Sequence, residues 1–158
     1  MSDKRLYIIR GLPGSGKTTL AASMAAAFYA MDVSWLEADD WMLNADGHYC
    51  FDPGRLRYCH TACQDAVKNA MVLGTGNIIV SNTFTQCWEF DAYLLLAHTY
   101  GYTIQVIECA GDFGSVHGVP ATKIEQMRRR WDRTDAVMKY IEHFNRAAQT
   151  EEERSDGV

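Results

Sequence analysis

No apolar run in this 158-residue sequence is long enough to cross a bilayer. Residues 1–10 also lack the apolar segment and cleavage site of a secretory signal. A cytoplasmic protein with no membrane partner is the expectation. A C-x-x-C pair is missing too, and five cysteines, an odd number, point to reduced thiols rather than a disulfide framework. Cys59 and Cys63 flank His60 on an expected helix, but no second ligand pair stands at zinc-like spacing, so both are expected as buried apolar side chains. Positive charge is not in excess: the formal net charge is −5, so any contact with nucleic acid must come from a local patch. One such patch exists, Arg128, Arg129, Arg130 and Arg133, with a solvated helix face as the alternative reading. Repeats and low-complexity segments are absent. So is a guanine-reading Asn-Lys-x-Asp string, since Thr122-Lys123-Ile124-Glu125 follows Pro120 and opens a helix. The length leaves no room for a second domain, which predicts one domain over residues 1–150 and a disordered acidic tail over 151–158 containing Glu151 to Glu153.

What the sequence does contain is the string Gly-Leu-Pro-Gly-Ser-Gly-Lys-Thr from Gly11 to Thr18, between an apolar run, Leu6 to Ile9, and an alanine-rich run, Leu20 to Met31. This is G-x-x-x-x-G-K-T in a strand-to-helix context, the pattern of a phosphate-binding loop. Glycines let backbone N–H groups close around phosphate oxygens, and the positive end of the following helix points at them. Gly11, Pro13, Gly14, Ser15, Gly16, Lys17, Thr18 and Thr19 are therefore candidate ATP ligands. Lys17 would reach the β and γ phosphates, and the Thr18 hydroxyl would meet Mg²⁺.

The rest of the chain alternates strand and helix. Strands are predicted at 6–10, 33–37, 77–81 and 103–109. Helices are predicted at 16–31, from Asp52 and Pro53 to about Leu73, at 86–100, at 120–131 and at about 134–148, the last with Val137, Met138, Ile141 and Phe144 on one face. Such alternation implies a parallel α/β sheet whose functional residues follow the strands. Glu37, Asp39 and Asp40 follow the second strand, Ser81, Asn82 and Thr83 the third, and a glycine-rich loop, Gly111 to Pro120, the fourth. A carboxylate after the second strand could take a proton from an attacking hydroxyl or help hold the metal. Alternatively, Asp39 or Asp40 could merely cap a short helix around Trp41.

These strings have a combined resemblance. Gly11 to Thr18, Glu37-Ala38-Asp39-Asp40-Trp41, Gly47 to Pro53 with its Phe-Asp-Pro, Ile79-Val80-Ser81-Asn82-Thr83 and His117-Gly118-Val119-Pro120 occur in one order from about residue 5 to 131. Together they resemble the polynucleotide-kinase-like P-loop kinases, which include the kinase domain of bacteriophage polynucleotide 5′-kinases and related AAA-type ATP-binding domains. The resemblance implies a P-loop NTPase fold with a small helical lid. It also implies ATP- and Mg²⁺-dependent phosphorylation of a hydroxyl, with Asp39 as base and as a metal contact beside Thr18. Asp40, Asp52, Asn82 and His117 become candidate substrate residues.

Two departures accompany the resemblance. Where the family has an acid at the end of the third strand this chain has Ser81 and Asn82, and where it has a lid arginine this chain has Gly114 and Ser115. Arg128 or Arg130 could supply the missing cation, which contributes on the order of 10³ to 10⁵ in rate where it is present. Trp41, Tyr49, Phe51 and Phe84 are candidates for stacking on a base. The leading expectation is an ATP-dependent kinase acting on a DNA or RNA hydroxyl, either a 5′ end or a hydroxymethylated base in DNA. A nucleoside or small-molecule kinase and an ATP-binding switch with little turnover are the alternatives.

Overall fold

The computed structural model describes residues 3–115 and 117–157. Met1, Ser2 and Val158, the outer ends of the expected domain and tail, lie outside them. Four strands, β1 (Arg5–Gly11), β2 (Val33–Leu36), β3 (Asn77–Ser81) and β4 (Thr103–Cys109), form a parallel sheet in the order β2-β3-β1-β4. Leu6 is in register with Ile78 and with Ile104, and Gly11 with Cys109. The central strands are apolar on both faces because both faces are covered. Tyr7, Ile9 and Ile79 pack on α1 (Lys17–Ala27) through Ala21. Leu6, Ile8, Ile78 and Val80 face a larger cluster containing Cys59, Cys63 and Val67 of α2 (Leu56–Val72), Tyr93 and Leu94 of α3 (Asp91–Tyr100) and Val137 and Ile141 of α5 (Thr134–Asp156). The remaining helix, α4 (Ala121–Arg129), has no buried residue and is the segment in which the resemblance implies a small lid. Among the described residues no helix is long and apolar enough to cross a membrane.

Several boundaries differ from the sequence expectation. Helix α1 stops at Ala27, short of Met31, and the residues beyond it leave Tyr29 and Met31 exposed. The predicted helix at 86–100 begins with a 3-10 turn, Cys87–Phe90, and the predicted helix after Asp52 begins with another, Pro53–Arg55. The expected acidic tail is instead helical, since α5 continues through Glu151, Glu152 and Glu153 to Asp156. Tertiary contact overrides the local charge there. Phe144 and Ala148 line a groove against Leu95 and His98 of α3, and Glu152 Oε1 lies 3.0 Å from His98 Nε2. Met138, placed on the apolar face by its spacing, is exposed.

Candidate active site

The loop between β1 and α1 turns through Gly14 (φ 79°) and Gly16 (φ 98°), left-handed backbone that favours glycine. A Cβ on Gly14 would lie 2.7 Å from the carbonyl group of Gly114, so the segment after β4 sits directly on the phosphate loop. Phe113 N–H donates to Gly14 O at 2.8 Å, and the Phe113 ring lies over Gly16. At Gly114, where the resemblance implies a lid arginine, the backbone has φ 80°, which favours glycine, while the space around its Cα is open. Within the loop, Lys17 Nζ donates to Leu12 O at 3.0 Å. Burial lowers the Lys17 pKa, against the opposing pull of the Glu37 carboxylate. Ser15 Oγ is buried with no hydrogen-bond partner. Pro13 is half-buried, whereas Thr18 and Thr19 are exposed on the first turn of α1. The chemistry is that of an anion cradle: backbone N–H groups at a helix start, an ammonium, and hydroxyl groups with free capacity.

Across the cleft, β2 ends at Leu36 and a 3-10 turn follows, Ala38–Trp41. The two neighbouring aspartates divide here. Asp40 caps the turn, with Glu37 N–H donating to Asp40 Oδ2 at 2.9 Å and Asp40 N–H donating to Glu37 O at 3.1 Å. Burial raises the Asp40 pKa, partly offset by that backbone donor. Asp39 makes no cap bond, and its Oδ2 lies 3.6 Å from His117 Nε2 in the loop after β4. The His117 ring stacks on Tyr49 with centroids 4.0 Å apart. Two local turns set up this meeting. A tight hairpin pairs Leu43 with Tyr49, and Ser115 Oγ accepts from Val119 N–H at 3.1 Å to close the turn that carries His117.

The other sequence candidates are placed as follows. Asp52 Oδ1 accepts Gly54 N–H at 2.9 Å and caps the 3-10 turn before α2. Asn82 Oδ1 accepts Ala38 N–H at 2.8 Å, tying the end of β3 to the turn that carries Asp39 and Asp40. Arg128 and Arg129 both pair with Glu125 on the lid surface, and Arg130 Nε donates to Thr85 Oγ1 at 3.2 Å, below the lid. Phe84, a candidate for base stacking, is instead buried against Phe90 and Tyr93.

Two further residues lie at the site: Glu37, which the sequence places among the acids after the second strand without a role of its own, and Arg10, to which it assigns none. Glu37 Oε1 accepts the Thr18 hydroxyl at 3.1 Å. Burial raises the Glu37 pKa, opposed by the Ser81 and Thr18 hydroxyls. Arg10, the last side chain before the phosphate loop, is fully buried and donates to Phe84 O at 3.0 and 2.8 Å and to Thr134 Oγ1 at 3.1 Å. A charged residue closing an otherwise apolar buried strand was the available signal for Arg10. For Glu37 it was an acid ending β2 where β3 ends in Ser81.

Comparison with known proteins agrees with this geometry. A family model described as an AAA domain matches residues 6–113. NEDD4-binding protein 2 of Homo sapiens is 29% identical over 167 residues, an alignment covering 95% of this chain and 9% of the human protein. The chain thus spans a small part of that relative. A solved Pnkp1/Rnl/Hen1 complex superposes with a TM-score of 0.56 at 18% identity, over 80% of this chain and 39% of that one. A gluconokinase from Sinorhizobium meliloti 1021 gives 0.55 at 13% identity, over 98% and 99%. The chain belongs to this AAA-domain family and has the fold of the polynucleotide-kinase-like P-loop kinases.

Proposed function

We propose that this domain is an ATP-dependent kinase that transfers the γ-phosphoryl group to a hydroxyl of a polynucleotide, either a 5′ end or a hydroxymethylated base in DNA. The observation that carries the reading is the division of labour between neighbouring aspartates: Asp40 is consumed as a cap, while Asp39 makes no cap bond and stands beside His117 of the loop after β4. In the reaction, Asp39 accepts the proton of the acceptor hydroxyl as its oxygen bonds to the γ phosphorus. The bond from that phosphorus to the bridging oxygen breaks, and ADP leaves. Gly11 to Thr18 hold the phosphates, and Lys17 answers the charge on the β and γ oxygens. His117, beside Asp39, would orient the carboxylate or contact the acceptor.

The donors available suit a hard, hydrated cation. Thr18 offers a hydroxyl and Asp39 a carboxylate, with oxygen atoms only. Bound there, Mg²⁺ would neutralise phosphate charge. Arg128 pairs with Glu125 and Arg130 donates to Thr85 Oγ1, so either must exchange that partner to reach the transferred phosphoryl group.

A small-molecule acceptor is the second reading, favoured by the engagement of nearby cations. Arg55 donates to the Leu43 and Trp41 carbonyls, and Arg128 and Arg129 are paired with Glu125, so these three guanidinium groups are already engaged and less available to track a phosphate backbone. Transfer of γ-labelled phosphate to 5′-hydroxyl oligonucleotides, hydroxymethylated duplex DNA and nucleosides separates the readings. Asp39→Asn should bind ATP normally and label none of them. If the unaltered protein binds ATP and labels no acceptor, the kinase assignment fails.

A further inference from the structure

We infer that Glu37, at the end of β2, is the positioning residue that orients the metal-binding hydroxyl of Thr18 and supplies the carboxylate charge absent from the end of β3. The inference rests on the nucleotide and metal part of the reading above, and not on the identity of the acceptor.

A threonine hydroxyl has one proton and two lone pairs. Thr18 Oγ1 donates its proton to Glu37 Oε1 at 3.1 Å, which turns its lone pairs away from the carboxylate and makes them available to a cation. Partners of this kind, one bond removed from the metal, orient the ligand and raise its basicity. The neighbouring groups at the end of β3 are not able to do this. Asn82 Oδ1 is committed to Ala38 N–H at 2.8 Å, and its amide nitrogen is turned to Cys63 Sγ at 3.8 Å. Ser81 is neutral.

A second observation ties Ser81 to the same spot. Its hydroxyl is buried, with the residue 3% exposed, and lies against the Glu37 carboxylate at a geometry too loose for a proper hydrogen bond. It has no other partner among the described residues. A carboxylate side chain at position 81 would therefore meet Glu37, and two acids in one partly buried corner repel. An acid on β2 facing a small hydroxyl residue on β3 does the work of an acid on β3 facing a small residue on β2. The strands are neighbours in parallel register, with Leu36 opposite Val80, so the two arrangements bring charge to one place.

Charge balance agrees with this role. Glu37 acts on Lys17 as an opposing charge. In the absence of metal it stands against incoming phosphate, and with metal bound it contributes attraction. Glu37→Gln keeps an oxygen for the Thr18 hydroxyl and for the turn while removing the charge. Two binding measurements at fixed pH, neither requiring phosphoryl transfer, then give opposite signs. Mn²⁺ affinity of the complex with a non-hydrolysable ATP analogue, read from the free Mn²⁺ electron paramagnetic resonance signal, should fall about 10-fold or more. Affinity for the analogue in EDTA, read by calorimetry, should hold or tighten. The exchanged variant Glu37→Ser/Ser81→Asp should recover most of the Mn²⁺ affinity, and it also serves if the single variant does not fold. Unchanged Mn²⁺ binding in Glu37→Gln, a parallel loss of both affinities, or no recovery in the exchanged variant overturns the inference. Failure to label any acceptor leaves these affinities unaltered and counts against the kinase reading alone.

Discussion

Replacing Arg10 with methionine tests how the lid is fastened to the strands that carry the phosphate loop. The guanidinium is fully buried and bonds Phe84 O twice, Thr134 Oγ1 at 3.1 Å and Thr85 O at 3.4 Å. The Trp131 ring lies over it, 4.0 Å from guanidinium carbon to centroid. Thr134 and Trp131 in turn donate to the two oxygens of Glu108, so Arg10, Thr134, Glu108 and Trp131 close a loop of contacts between the exit of the lid and β4. Burial lowers the Arg10 pKa, with Glu108 the foremost charge opposing it. Methionine fills much of the volume but leaves Phe84 O without its donor, at a residue already held at φ 47°. Leaving the buried Phe84 carbonyl without its charged donor costs about 1–3 kcal/mol. At roughly 2–4 °C per kcal/mol for a chain of this size, the melting temperature should fall by roughly 2–12 °C in differential scanning calorimetry. The loss should also be local: Asp132 N–H, which donates to Thr85 O at 2.7 Å, should exchange with solvent faster than the amides of β1. A cost below about 1 kcal/mol, or unaltered exchange at Asp132, would refute the fastening role.

Lys17→Ala should lower phosphoryl transfer by several orders of magnitude in a labelled-phosphate assay, because charge on the β and γ oxygens is no longer answered; retained turnover would mean this loop does not hold the reacting nucleotide. Gly14→Ala sets a Cβ 2.7 Å from the Gly114 backbone at a φ that costs a side chain about 1–3 kcal/mol, so ATP affinity measured by calorimetry should drop roughly 5-fold or more. Tyr140 donates to Asp91, and that bond, aided by burial, pushes its pKa up to about 12 from 10.0. The folded state therefore holds a proton that the unfolded state has lost across this window. Stability should fall as pH rises from 10 to 12, and the fall should be shallower in Tyr140→Phe, as read by urea titration along the pH series.

The parts of this molecule legible in its sequence are those fixed by local chemistry. Leu6 to Ile9 and Asn77 to Ser81 read as buried strands because continuous apolar residues suit a parallel sheet covered on both faces, and the loop from Gly11 to Thr18 reads from residue type alone. The division between Asp39 and Asp40 is not legible in residue type, and only the resemblance singles out Asp39: the side chains are identical and differ in which way a 3-10 turn points them. The helical end of α5 was hidden for a related reason: Glu151 to Glu153 suggest fraying, whereas the partner of Glu152 there is His98, more than 50 positions earlier. Glu37 belongs to the same class. Its importance depends on Thr18 across one loop and Ser81 across one strand pair, a relation that exists only once β2 lies beside β3. Searching such a site one strand end at a time registers a missing acid at Ser81. Taking adjacent strand ends as one surface finds the carboxylate still present, carried by the neighbouring strand. Departures from a family pattern at such a corner are therefore to be judged by the charge assembled there, not by the residue at one position.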